Sequence, residues 1–185
     1  DGAGAVTIVD GKDKGSYSSD KIMIATGSHA SSLPGITIDE KRIVSSTGAL
    51  SLDKCPKKLL VIGAGYIGLE LGTVWARLGA EVEVIEFLPR ILPGMDDEIA
   101  KKFIAIAKKQ GVSFRLSTAV KAAKISKTGV SLTVEPAAGG AAETVTADIA
   151  LVSVGRHPAT DGLGLEAAGI SLTERGRIAV DSRFE

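Results

Sequence analysis

Cysteine is nearly absent: Cys55 is the only one in 185 residues. No disulfide within the chain and no multi-thiolate metal site can form, and an intracellular setting is expected. Cys55 stands in the loop-like stretch Asp53-Lys54-Cys55-Pro56-Lys57 with no histidine near it in sequence, so an unreactive loop cysteine is expected rather than a nucleophile. Neither sign of charge is in excess, because 22 Lys and Arg balance 22 Asp and Glu. That balance disfavours nucleic acid and anionic membranes as partners. No apolar run approaches the length of a membrane span, and no signal or transit peptide is recognised. Internal repeats and long low-complexity tracts are missing too. The chain opens on Asp1 without a Met and stops abruptly at Arg183-Phe184-Glu185, and is expected to be a piece of a longer protein.

What is present is an ordinary globular composition, 44% hydrophobic and 24% charged, on a chain long enough for one full domain with flanking pieces. Val6–Val9 and Lys21–Ala25 read as two strands joined by the polar, Gly-rich Asp10 to Asp20, and the second stops at Thr26-Gly27-Ser28. From Ser31 to Pro56 the pattern is irregular, with a turn at Pro34-Gly35 and a short helical stretch at Ser45 to Leu50. Lys58–Ile62 is a strand-length apolar run without alternation, which implies burial on both faces as in a parallel sheet.

Tyr66 to Leu78 places Ile67, Leu71, Val74, Trp75 and Leu78 at helical spacing, with Gly79 where a left-handed cap is wanted. Glu81–Ile85 then resumes strand patterning. A second helix runs from Asp96 or Asp97 to Gln110, acidic at its start and closed by Lys108, Lys109 and Gly111, with Ile99, Phe103 and Ile106 as its expected buried stripe. Val112–Leu116 completes a right-handed βαβαβ unit. Ala119–Ile125, Val130–Val134 and Thr144–Ala147 alternate apolar with polar and read as an antiparallel meander. Ile149–Val154 is again fully apolar and is expected to rejoin the parallel sheet; a weak strand follows at Arg177–Val180. The fold class is α/β, a Rossmann-like domain of parallel sheet plus meander.

Gly63-Ala64-Gly65-Tyr66-Ile67-Gly68 fits G-x-G-x-x-G, a weak pattern alone but here set between a buried strand and a helix start. Gly63 permits the tight turn, Gly65 lets a pyrophosphate approach the backbone, and Gly68 allows the helix to pack closely on the strand. The anion is held by unpaired amides and the positive end of the helix dipole. Glu86 closes the second strand 18 positions after Gly68, near the spacing of about 20 expected of a ribose-binding acid. A carboxylate there accepts from the adenosine ribose and repels a 2′-phosphate, so NAD is favoured over NADP. The nearest arginine, Arg90, lies four positions on.

With Ala25-Thr26-Gly27-Ser28 before them and Val154-Gly155-Arg156-His157-Pro158 after, these residues resemble the flavin disulfide reductases. The run from Ile43 to Leu50, the segment Val61 to Gly72 and Val84-Ile85-Glu86-Phe87 most resemble the dihydrolipoamide dehydrogenase branch, over essentially the whole chain. The resemblance implies an NAD domain, residues 29 to 155, inserted into an FAD domain. Residues 1 to 28 then end its first segment, with Thr26, Gly27 and Ser28 on the flavin side, and 156 to 185 begin its second. It implies NAD contacts at Gly63, Ala64, Gly65, Tyr66, Ile67, Gly68, Leu69, Glu70, Glu86, Val120 and Gly155. Tyr66 matches an aromatic over the flavin that moves as NAD enters; the alternative is a helix-start tyrosine packed on a neighbouring loop. Glu70 matches a carboxylate that pairs with a flavin-side lysine, against the alternative of an ordinary helix glutamate.

The family's redox cysteine pair, its flavin-binding Gly-Asp motif and its C-terminal His-Glu base do not occur in this chain, and neither His29 nor His157 replaces that base. The implication is a fragment, inactive alone, of an enzyme using NAD and FAD. Its full-length parent is expected to form a homodimer and to act on lipoyl domains of 2-oxo acid dehydrogenase complexes. Its compartment is expected to be the mitochondrial matrix in a eukaryote or the cytoplasm in a bacterium. A non-catalytic NAD-binding module, or another flavin reductase such as glutathione or mercuric reductase, remains an alternative.

Overall fold

The structure, a computed structural model, describes residues 4–185. Asp1 to Ala3, the start of the segment assigned to 1–28, lie outside the described residues. The chain divides into two units, one of residues 1–29 and 156–185 and the other of Ala30–Gly155.

In the first unit β1 (Ala5–Ile8) and β2 (Gly15–Ser18) form an antiparallel hairpin in which Val6 faces Tyr17. The sequence placed the second strand at Lys21–Ala25. Instead a strand forms inside the polar stretch, and Lys21–Ala25 joins no strand among the described residues, with Met23 88% exposed. The local pairing needs only a short loop, whereas an apolar run becomes a strand only where a neighbouring edge accepts it. Two short strands that the sequence did not reveal, β3 (Ser28–Ala30) and β12 (Arg156–Pro158), pair as a ribbon. The strand expected at Arg177–Val180 is reduced to one antiparallel bridge, Leu172 to Ile178.

The second unit is a three-layer sandwich. Its elements are β4 (Ile43–Val44), α1 (Ser46–Leu50), β5 (Lys58–Ile62), α2 (Tyr66–Arg77), β6 (Glu81–Ile85), α3 (Asp97–Lys109), β7 (Val112–Arg115), β8 (Thr118–Ile125), β9 (Val130–Pro136), β10 (Glu143–Ala147) and β11 (Ile149–Val152). The central sheet runs β4-β11-β5-β6-β7 with all neighbours parallel, so the apolar run after the meander does rejoin it. β8, β9 and β10 form the antiparallel meander, with a bulge between Val120 and Ala122.

Alternate residues of each central strand face opposite layers. Leu59, Val61, Val82, Val84 and Leu151 pack with Leu69, Trp75, Ala100 and Ala107 of the helices. Leu60, Ile62, Ile85, Ala150 and Val152 pack with Val130, Leu132 and Val134 of the meander. One sheet face is thus covered by helices and the other by the meander.

Each long helix buries only part of its expected apolar stripe: Trp75 is buried and Leu71 packs on the core in α2, and Phe103 packs on it in α3. α2 buries Gly68, Leu69, Gly72, Thr73 and Trp75, while Val74 and Leu78 are 44% and 60% exposed. Two glycines share that inner face: a Cβ at Gly68 would meet the Gly63 carbonyl of the preceding turn, while one at Gly72 would only touch Val61 and Val82. α3 buries Ala100 and Ala107 with the expected Phe103 and also Ile104 half-buried, and leaves the expected Ile99 and Ile106 more than half exposed. The caps follow the sequence: Asp96 accepts from the amides of Glu98 and Ile99. After α2, the Ala80 amide reaches Trp75 O and the Gly79 amide Ala76 O, the Schellman arrangement.

Candidate dinucleotide-binding site

β5 ends at Ile62, and the chain turns through Gly63-Ala64-Gly65 into α2. β6 carries the chain away on one side of β5, and β11 arrives on the other. This reversal of direction at the carboxyl ends of parallel strands is where open α/β sheets take their ligands.

The three glycines of the turn differ in what a side chain would meet. At Gly63, whose φ is +101°, a Cβ would stand 2.6 Å from Ser153 O. At Gly68 it would stand 2.3 Å from Gly63 O and 2.4 Å from Ser153 Oγ, so the helix rests directly on the turn. At Gly65 it meets nothing within 4 Å. Gly65 therefore opens onto free space in front of the helix, where α2 takes no side-chain cap and its first intrahelical bond is the Leu69 amide to Gly65 O. The amides of the first turn and the positive end of a twelve-residue helix face that space. A pyrophosphate fits this arrangement, because it needs backbone donors and a surface without side chains.

Glu86 follows β6 and reaches the same turn. Its Oε2 accepts the Ala64 amide at 2.7 Å and its Oε1 the Leu88 amide at 2.8 Å. One carboxylate thereby ties the glycine turn to the end of the neighbouring strand, and its further lone pairs stay available to ribose hydroxyls. Arg90, the arginine closest in sequence, turns elsewhere. It pairs with Asp97 and donates to the carbonyls of Ile91 and Met95. Among the described residues, no arginine pairs with Glu86.

The remaining sequence-based site residues divide by exposure. Tyr66 is 68% exposed at the start of α2. Glu70 is exposed and makes no ion pair among the described residues. The side chains of Ala64 and Leu69 lie in the helix-side core, which leaves only their backbone to a ligand, and Ile67 is half-buried. Val120 packs against the meander-side core. Gly155 accepts the Ser31 amide and has open space beside its Cα. In the first unit Thr26 Oγ1 donates to Ala159 O, Ser28 Oγ accepts from Arg156 Nε at 2.7 Å, and Gly27 has open space around it.

Sequence reasoning missed Ser153. It follows β11 and donates from Oγ to Ile62 O at 3.0 Å and Gly63 O at 3.2 Å, pinning the turn from the side opposite Glu86. The available signal was a small polar residue ending an apolar strand that had to lie beside the glycine turn. Two concavities lie elsewhere in the unit, one among Lys58, Gly129 and Asp148 and one beside α1 near Glu40.

A family model described as pyridine nucleotide-disulphide oxidoreductase matches residues 1–185. The chain belongs to this family. Among curated oxidoreductases of that kind, it is 54% identical over 181 residues to the mitochondrial dihydrolipoyl dehydrogenase of Pisum sativum, covering 98% of this chain and 34% of that protein. Against dihydrolipoyl dehydrogenase 3 of Pseudomonas putida the identity is 53% over 181 residues, 97% of this chain and 39% of the relative. The solved HOCl-induced flavoprotein disulfide reductase RclA of Escherichia coli superposes with a TM-score of 0.82 at 32% identity, covering 93% of this chain and 38% of that one. The chain thus spans little more than a third of the length of these oxidoreductases.

Proposed function

We propose that Ala30–Gly155 is the NAD(H)-binding unit of a dihydrolipoamide dehydrogenase, with residues 4–29 and 156–185 belonging to its FAD-binding part. The observation that carries this reading is the open space at Gly65, before unpaired helix amides and beside the Glu86 carboxylate. In this reading the amides opening α2 hold the pyrophosphate, Glu86 accepts from the adenosine ribose, and Val120 and Gly155 border the dinucleotide. Exposure of Tyr66 and the unpaired Glu70 carboxylate supports their assignment to the nicotinamide end, where orientation is the protein's main contribution to catalysis. NAD, when bound, supplies the acceptor for a hydride from reduced flavin.

Thr26 donates its hydroxyl to Ala159 O and the Ser28 hydroxyl accepts from Arg156, leaving Gly27 as the open position for flavin approach. With Cys55 as its only cysteine, this chain holds no redox disulfide and alone does not oxidise dihydrolipoyl groups. In the reading proposed, the parent protein takes electrons from lipoyl domains, works as a homodimer, and resides in the mitochondrial matrix of a eukaryote or the cytoplasm of a bacterium.

Calorimetric titration tests the site. NADH is expected to bind saturably and NADPH far more weakly, and Gly65→Ala to weaken NADH without lowering the melting temperature. Folded protein, judged by Trp75 emission, that gives no saturable heat with NADH overturns the reading.

A further inference from the structure

The chain contains two histidines, 128 positions apart, and the fold brings them together. His29 in β3 and His157 in β12 are both exposed, with ring centroids 5.6 Å apart and ring planes tilted by 44°. We propose that His29 and His157 form a two-imidazole chelate for a borderline divalent transition metal ion, with Cu(II) the tightest bound. This site is separate from the glycine turn and does not depend on the function proposed above.

The separation suits a shared ion. With a metal–nitrogen bond of about 2.0–2.1 Å and the ring centre roughly 1.2 Å behind the nitrogen, two imidazoles on one ion put their centroids about 4.6 Å apart at a right angle. They stand about 5.3 Å apart at a tetrahedral angle and about 6.4 Å when opposed. The observed 5.6 Å falls inside that range without backbone movement.

The ribbon is also held in register from its other face. Neighbouring residues on a strand point to opposite sides, so Ser28 and Arg156 lie opposite the histidines. Arg156 donates from Nε to Ser28 Oγ at 2.7 Å and from Nη2 to Ser28 O at 2.5 Å. Just beyond, the Ala159 amide donates to Gly27 O at 3.0 Å and Thr26 Oγ1 to Ala159 O at 2.7 Å. Four hydrogen bonds thus fix the two strands before any ion arrives. Imidazole nitrogen selects Cu(II), Ni(II) and Zn(II) over Mg(II) and Ca(II), and Cu(II) stands highest in that series. The remaining coordination positions face solvent and take water.

The test is titration of Cu(II) into protein carrying no histidine tag, with competition against a chromogenic chelator and electron paramagnetic resonance at one equivalent. The wild type is expected to bind one ion here with nitrogen superhyperfine structure. H29Q and H157Q are each expected to lose at least about tenfold in affinity, and the double variant to be no worse than either. Wild-type affinity in a single variant, or in the double variant, overturns the chelate. A second measurement needs no variant: Zn(II) is expected to shift the ring 15N resonances of both histidines with one saturation curve. A shift of one ring alone overturns the proposal.

Discussion

The glycines of α2 allow fold and binding to be separated by adding one methyl group at a time. At Gly68 the new carbon would lie 2.3 Å from Gly63 O, 2.4 Å from Ser153 Oγ and 3.0 Å from Val61 Cγ1. The serine hydroxyl can rotate away, but the Gly63 carbonyl is backbone and moves only if the turn or the helix moves. Overpacking of this kind costs about 1–3 kcal/mol, and the contact with backbone puts Gly68→Ala in the upper part of that range. The better helix propensity of alanine returns about 1 kcal/mol. A net loss of about 1–2 kcal/mol corresponds to a fall in Tm of roughly 3–8 °C for a unit of this size.

At Gly72 the same carbon would sit 3.5 Å from Val61 Cγ2 and Val82 Cγ1, ordinary contact, so the propensity gain stands alone and Gly72→Ala is expected to raise Tm. At Gly65 the backbone is extended (φ −75°, ψ 176°) and nothing is near. Alanine is a poorer helix cap than glycine, but it restricts the unfolded chain, and the two effects roughly cancel at about 0.5–1 kcal/mol each. Gly65→Ala should therefore melt like the wild type and still bind NADH at least about tenfold more weakly, a loss of about 1.4 kcal/mol. Melting followed by Trp75 fluorescence and NADH titration on the three variants reads both quantities. If Gly72→Ala loses as much as Gly68→Ala, the clash with the turn is not what matters; if Gly65→Ala binds NADH normally, the phosphate does not lie there.

Glu86→Ala removes a charged acceptor, and losing hydrogen bonds of about 1.5–3 kcal/mol should weaken NADH by roughly 10- to 150-fold while narrowing the preference over NADPH; an unchanged NADH-to-NADPH ratio refutes the assignment. Ser153→Ala, which takes the hydroxyl donor from Gly63 O while the Ser153 amide still holds Ile62 O, should restore only part of the stability lost in Gly68→Ala, and full recovery in the double variant places the clash on the hydroxyl alone. Burial pushes the Asp39 carboxyl up, but the amides of Ile43, Arg42 and Lys41 outweigh it and hold it below its ordinary 3.8. Its stabilising contribution is therefore complete above that value and lost as pH falls through the folded one. Asp39→Asn should flatten acid denaturation in that window, and an unchanged acid limb argues against it. Trp75, the only tryptophan and 8% exposed, should shift to the red when Ala30–Gly155 unfolds in urea, in step with loss of NADH binding.

The parallel sheet and the glycine turn were legible because their signals are local. Lys58–Ile62 and Glu81–Ile85 are runs that only a doubly covered strand explains, and the turn between Ile62 and Tyr66 is written in glycine. The helix faces were not legible in the same way. Periodicity ranks residues by size, whereas in α2 Gly68 and Gly72 take the inner face beside Leu69 and Trp75, and Val74 and Leu78 are turned out. Lys21–Ala25 misled for the opposite reason: its apolar content is real, but no strand lies beside it among the described residues. The partners of Glu86, Arg90 and Ser153 depend on side-chain direction at strand ends, which no spacing encodes.

The meander explains why the turn is gripped from two sides. After β7 the chain must return past β6 and β5 to reach the position beside β5, and it does so across the face that the helices leave bare. Covering that face and delivering β11 are therefore one path. A helical crossover would bury the same surface, yet the alternating Val130, Leu132 and Val134 let one strand both seal Ile62 and Val152 and pair with its neighbours in the meander. Because β11 arrives opposite β6, Ser153 and Glu86 reach the turn from its two flanks, one taking its carbonyls and the other its amide. What remains unclaimed is the outward side at Gly65. The donors there are already fixed in place, so in the proposed reading no loop has to be ordered on binding.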